Sequence, residues 1–325
     1  MKKFTTLMAA LVMMLALAVP YVAAQEQPQK PRDEAAVYAE WYNAYYKEKD
    51  LTKTYTLAKE LIDKFPGGKY DSYAKKSRTD IRAKWFNDAK AANNVGEEIR
   101  IAKEEFAENG DNLNYLHLLI VDIRTNEMEK KNYAHGADLV EFVQKANKII
   151  EEGKTSELVP ADKSKVFSAY YYQSHAMVEG NNKNSDKALE LYKKSSSIDP
   201  ATTILNAQNN LAIGVIYNDR FQAASDEFDK LSEDIKKDAE NPTTKAALEK
   251  LNSVADLALD AWARFLVNND SSKWGQVRTN VENRVKDLYK FRHEEKLDGF
   301  DEWLAKYKTG TAANGAPSNG SSGSN

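Results

Sequence analysis

The residues able to do chemistry are few and far apart. Four histidines stand at His117, His135, His175 and His293, and the 325 residues include no cysteine. Histidines that hold a metal recur at short spacings, such as H-x-x-x-H, that aim two imidazoles at one ion. No pair here has such a spacing, and no second ligand type stands at a diagnostic offset. Without cysteine there are no thiolate ligands, thiol nucleophiles or disulfides. The G-x-S-x-G nucleophile elbow is missing. Pro66-Gly67-Gly68-Lys69 lacks the G-x-x-x-x-G-K-[ST] spacing of a phosphate loop and reads as a loop following a helix. Asn182, Asn184 and Asp186 alternate as calcium ligands would. No glycine follows at the sixth loop position and no acid at the twelfth, so they read as turn and N-cap residues. Adjacent carboxylates, Glu104–Glu105 and Glu151–Glu152, point apart on a helix and cannot face one bond. The expectation is a non-enzymatic chain with no metal and no cofactor.

The elements that carry these residues begin with a leader. Lys2 and Lys3 precede an apolar run from Leu7 to Val19, and Val22-Ala23-Ala24 supplies small residues before Gln25. This is the three-part pattern of a secretory signal peptide over residues 1–24, cleaved after Ala24. The run is shorter than the roughly 20 residues of a membrane span. No comparable run follows, so no span is expected in the mature chain, which is placed in the periplasm or outside the cell. Residues 25–32 (QEQPQKPR) read as a linker, and residues 309–325 as a disordered Gly/Ser/Asn tail. The balance of 46 basic against 49 acidic residues gives no electrostatic footprint for nucleic acid.

Between linker and tail, residues 33–308 read as helix throughout. Apolar residues recur at i, i+3, i+4 and i+7, as in Val37, Trp41, Ala44 and Tyr45, or Leu248, Leu251, Ala255, Ala258, Trp262 and Phe265. Sustained period-two alternation is absent. Pro66, Pro160, Pro200 and Pro242 fall where a periodic stretch has just ended. Twelve or thirteen helices are expected. Those over Tyr70–Ala91, Tyr133–Ile150 and Thr244–Val267 are long, and a capping pair lies after Trp274.

The helices pair in a recurring frame. Ala188, Tyr192, Ser195 and Pro200 place a small residue, an aromatic, a small residue and a stop at fixed offsets. Leu211, Ala212 and Val215, a turn at Asp219-Arg220, then Ala224 and Phe228 fit the same frame. So do Trp41, Tyr42 and Tyr45, a turn at Lys49-Asp50, then Ala58, Leu61 and Pro66. Tyr42 and Thr54 replace the usual small residues of that unit. The chain thereby resembles the tetratricopeptide-repeat family over about a third of its mature length. The resemblance implies an all-α, right-handed α-solenoid of tandem hairpins.

Family ligands lie in the concave groove of first helices. Carried over by position, that groove would hold Asn43 and Tyr46, then Gln173 and Ser174, then Asn209, Asn210 and Tyr217. The lysines and arginines with which part of the family grips a terminal carboxylate are missing here, whereas the amides suit an extended peptide backbone. Tyr38, Trp41, Tyr42 and Tyr45 fit a packing stripe with Tyr46 to its side, and the same cluster offers aromatic walls. The expected function is an exported scaffold that holds a protein or peptide partner in the cell envelope. The alternatives are a structural protein that self-associates or docks on an envelope complex, and a solenoid that binds carbohydrate, reported by Trp41 fluorescence.

Overall fold

A computed structural model describes residues 32–198, 203–238, 240–268 and 273–308. The leader, the linker up to residue 31, Pro200 and the tail from residue 309 lie outside the described residues. Helix starts follow the side chains that can cap them. Asp33, Asp50, Asn94, Asn112 and Asn241 each accept a backbone N–H from the first turn ahead, at 2.8 to 3.2 Å. Pro242 occupies a first helical position, where its missing N–H costs nothing.

The described residues are all-helical. Thirteen α-helices follow in order: α1 (Glu34–Tyr42), α2 (Leu51–Lys64), α3 (Asp71–Ala91), α4 (Val95–Asn109), α5 (Leu113–Asn126), α6 (Gly136–Glu151), α7 (Ser164–Asn181), α8 (Ser185–Ile198), α9 (Thr203–Asp229), α10 (Glu233–Lys237), α11 (Pro242–Val267), α12 (Gly275–Arg292) and α13 (Phe300–Ala305). A π-helical turn over Asn43–Glu48 prolongs α1 and ends at Lys49, whose φ of 55° is left-handed. Two units divide within α3, between Ile81 and Arg82.

In the first unit, Val37, Trp41 and Ala44 of the first helix and its π turn pack on Leu57, Ala58 and Leu61 of α2 and on Ala74 of α3. Trp41 also donates its indole N–H to Ser77 Oγ at 3.2 Å. The second unit holds two apolar clusters. One joins Phe86, Ile101, Leu116, Ile120, Phe142 and Tyr171. The other joins Ala188, Tyr192, Tyr217, Trp262, Phe265 and Leu288. The buried positions recur with helical period, as an amphipathic stripe requires.

The expected turn at Asp219-Arg220 does not occur. Helix α9 runs unbroken from Thr203 to Asp229. Asn218-Asp219-Arg220 contains neither glycine nor proline, so nothing local stops the helix, and a long neighbour supports it. Trp262 of α11 donates to Leu211 O at 3.3 Å, while Lys250 of α11 meets Glu227 at 2.5 Å. The two pairings make α9 and α11 antiparallel over several turns. Gly214 permits the contact, since a Cβ built there would fall 2.2 Å from the Trp262 ring. The turn at Lys49-Asp50 and the stop at Pro66 fall where expected, and α3 and α11 have close to the expected extents. Helix α6 starts at Gly136, three residues later than Tyr133.

Candidate binding surface

The positions proposed for a groove divide by burial. Gln173, Ser174, Asn209 and Tyr217 are 2%, 0%, 0% and 5% exposed. Side chains so enclosed cannot touch a partner, so these four are corrected from groove to interior. Their polar atoms are satisfied from within, as burial of amides demands. Gln173 Nε2 donates to Asn209 Oδ1 at 2.7 Å and to Leu205 O at 3.2 Å. Gln173 Oε1 accepts from Arg124 Nη2 at 2.6 Å. Asn209 Nδ2 donates to Ser195 Oγ at 2.9 Å and Ser196 Oγ at 3.1 Å. Ser174 Oγ accepts from Arg124 Nη1 at 3.2 Å and donates to Tyr170 O at 2.9 Å. Tyr217 accepts from Lys193 Nζ at 2.8 Å. The guanidinium of Arg124, 5% exposed, lies 4.2 Å from the Tyr170 ring centre. Four helices, α5, α7, α8 and α9, are thus tied by one polar network. Of the remaining positions, Asn43 and Asn210 are half-buried and Tyr46 is exposed.

The exposed residue of that set leads to a different surface. Within the first unit, Tyr70, Tyr38, Trp41 and Tyr45 form a pile of near-parallel rings. Successive centroids are 3.7, 5.3 and 5.5 Å apart and the interplanar angles are 7°, 23° and 7°. Tyr42, Tyr46 and Tyr73 stand against this pile, 44%, 56% and 58% exposed. Tyr42 leans 49° to Tyr38 at 6.4 Å, Tyr73 leans 59° to Tyr38 at 6.4 Å, and Tyr46 leans 39° to Tyr42 at 4.7 Å. Burial, and then the phenols of Tyr73, Tyr70, Tyr46 and Tyr42, push the Tyr38 hydroxyl above the ordinary tyrosine value.

Local structure brings these rings together. Helical spacing puts Tyr38 and Tyr42 on one face of α1. The wider π turn lets Trp41 meet both Tyr45 and Tyr46, and such turns occur frequently at functional sites. Tyr70 and Tyr73 arrive through the Pro66-Gly67-Gly68-Lys69 loop. Gly67 adopts φ of 73°, and Gly68 lies so close to Glu34 that a Cβ would meet its carboxylate at 2.2 Å. That carboxylate accepts the Tyr70 backbone N–H at 3.1 Å and fixes the start of α3. Tyr42, read in the sequence as part of a packing stripe, is therefore corrected to the surface. Trp41, 3% exposed, is the internal support of the rings and not a contact residue. Period 3.6 alone signals Tyr38 and Tyr42; the Tyr70-x-x-Tyr73 spacing at a helix start was the signal for the other two.

Ionisable groups elsewhere form structural pairs. His117 Nδ1 lies 2.9 Å from Tyr171 Oη, His135 Nδ1 2.7 Å from Glu127 and His175 Nε2 3.1 Å from Glu179. His293 stacks on Tyr289. Burial holds His117 and His175 below the ordinary histidine range. Arg82, 1% exposed, is paired by Glu105 at 2.7 Å and Glu108 at 2.5 Å. Glu98 is fully buried beside Asp122, which pairs with Lys90. Burial, and then Asp122, push the Glu98 carboxyl up to about 8. Among the described residues no cluster of three His, Asp or Glu is placed to hold a metal ion. No helix among them is long and apolar enough to cross a membrane.

Compared with models of known families, the chain matches none, and no curated protein matches it either.

Proposed function

We propose that this chain is an exported, non-enzymatic binding scaffold of tetratricopeptide-like helical hairpins, coiled as a right-handed solenoid. It holds a protein or peptide partner in the periplasm or outside the cell. The hairpin reading is supported by α7 and α8, where the frame residues Ala188, Tyr192 and Ser195 are all enclosed. The binding reading rests on one observation. Tyr42, Tyr46 and Tyr73 expose large rings on a rigid pile of four others. Tyrosine offers contact area at little cost in side-chain entropy and ends in a hydroxyl that bonds a polar partner. Rings already ordered by their neighbours lose still less freedom on binding.

The test is crosslinked capture by the mature chain, residues 25–325, from its native envelope fraction. A parallel sample carries Tyr42→Ala, Tyr46→Ala and Tyr73→Ala together, and a control carries Lys59→Ala on the exposed side of α2. The expected outcome is one dominant protein captured by wild type and control and lost by the triple variant. Equal capture by all three chains overturns the assignment of the surface.

A further inference from the structure

In the second unit, α6, α7 and α8 enclose a pocket of about 260 Å³ that the binding reading above does not use. Its floor is buried: Asn147 is 3% exposed, and His175 and Leu191 are enclosed beside it. Asn147 Oδ1 accepts the Ser168 hydroxyl at 2.7 Å, which fixes the amide plane. Its Nδ2 has no acceptor, although a buried amide donor normally finds one. His175 is engaged elsewhere, with Nε2 3.1 Å from Glu179 Oε1. Around the mouth the carboxylates are already answered. Glu190 pairs with Lys187 at 2.9 Å, and Glu151 accepts the Tyr172 hydroxyl at 3.3 Å. Two cations there are not. Lys194 holds its ammonium 4.1 Å from the centre of the Tyr172 ring, and neither it nor Lys148 pairs with a carboxylate among the described residues. The depression beside Trp85 on α3 and α4 differs in this respect, because its Arg100 is held by Glu97 and Glu104.

We infer that this pocket binds the oxyanion head, carboxylate or phosphoryl, of a small organic ligand. The groups left over are a buried donor and two cations, so their complement brings acceptors and negative charge. Asn147 Nδ2 donates to the head from the floor and orients it. Lys148 on α6 and Lys194 on α8 supply charge from two different helices. The stacked position of Lys194 means that little side-chain freedom is lost when it meets the ligand. At roughly 30 Å³ per water molecule, the space exceeds a bare head and admits a short carbon body. Leu191 and the Tyr172 ring give that body an apolar wall. The site lies on other helices than the tyrosine rings and stands whether or not those rings hold a partner.

The experiment titrates glycerol 3-phosphate, succinate and, as an uncharged control, glycerol into the mature chain, residues 25–325, by isothermal calorimetry at fixed ionic strength. Saturable one-site binding of at least one anion is expected, with none for glycerol. The anion that binds tells a phosphoryl site from a carboxylate site. Lys148→Gln and Lys194→Gln keep most of the stem and remove the charge, and each should weaken binding about tenfold or more. Asn147→Asp sets an acceptor where the donor stood and should abolish binding. Lys59→Gln, on α2 of the first unit, should bind as wild type does. Far-UV circular dichroism of both pocket-lysine variants should match wild type, since both side chains are exposed. Absence of saturable binding by either anion overturns the inference, as does equal binding of glycerol. Binding unchanged in either pocket-lysine variant, or weakened as much by Lys59→Gln, also overturns it, because the anion would then be held elsewhere.

Discussion

The buried carboxyl of Glu98 makes the stability of the fold depend on pH in an unusual direction. Glu98 has no exposed surface, and no donor reaches either of its oxygens among the described residues. Its neighbour is an acceptor, Asp122, whose charge is answered by Lys90. The protonated Glu98 can donate to Asp122; the ionised form would place two carboxylates together in the interior. Its value rises from 4.5 to about 8 on folding. Between those values the native state holds a proton that the unfolded chain has released. Stability from this group is therefore complete below 4.5, falls as pH rises, and is gone above 8. The slope is about 1.4 kcal/mol per pH unit, giving a loss of at most about 3 kcal/mol from pH 6 to pH 9. Glu98→Gln keeps the shape and donates to Asp122 at every pH. Urea unfolding followed by circular dichroism from pH 6 to pH 9 measures both proteins. The variant should match wild type within about 1 kcal/mol at pH 6 and exceed it by about 2–3 kcal/mol at pH 9. Subtracting one curve from the other cancels the histidines, which both proteins share. Parallel curves across this range would refute the assignment of the proton to Glu98.

Other outcomes follow from the packing. Gln173→Ala removes the interior bonds to Arg124 Nη2 at 2.6 Å and to Asn209 Oδ1 at 2.7 Å and should cost about 2–4 kcal/mol in chemical denaturation, far more than a surface substitution. Gly214→Ala drives a methyl into the Trp262 ring and should cost about 1–3 kcal/mol, with a shift in tryptophan emission. Asp50→Ala removes the cap that holds Lys53 N and should lower stability by about 1 kcal/mol, read as a fall in the first unit's unfolding midpoint. His117 is kept neutral by burial, so its contribution is present above the ordinary histidine value near 6.5 and lost as pH falls below it. His117→Gln should flatten the wild-type midpoint between pH 7 and pH 5; an unchanged slope would show that this histidine is not responsible.

Helical character was legible because it is written locally, in apolar residues every three or four positions and in capping Asp and Asn residues. The errors arose where a distant group decided the outcome. Gln173, Ser174 and Asn209 fall at groove positions of the repeat frame, and the structure encloses them. Arg124, about fifty positions earlier, donates to Gln173 and Ser174, and Gln173 in turn donates to Asn209; no periodicity links these groups. Asp219-Arg220 looked like a turn only because the repeat frame put one there, while Trp262 against Gly214 holds the helix straight from the far side of a loop. Half of the tyrosine surface was visible as Tyr38 and Tyr42 on one face of α1. The rest depended on a two-glycine loop and on a carboxylate, Glu34, that seats Tyr70. The π turn had no signature at all in Asn-Ala-Tyr-Tyr-Lys-Glu.

In an array of short hairpins, each turn is a joint at which a push or a local melting event can stop. Helix α9 has no such joint for 27 residues, a length of about 40 Å, and α11 runs back along it. A load applied near Asp229 is therefore delivered to Thr203, and fraying at either end cannot be confined by a break in between. This stretch should behave mechanically as a paired beam rather than as links of a chain, yielding as a whole or not at all.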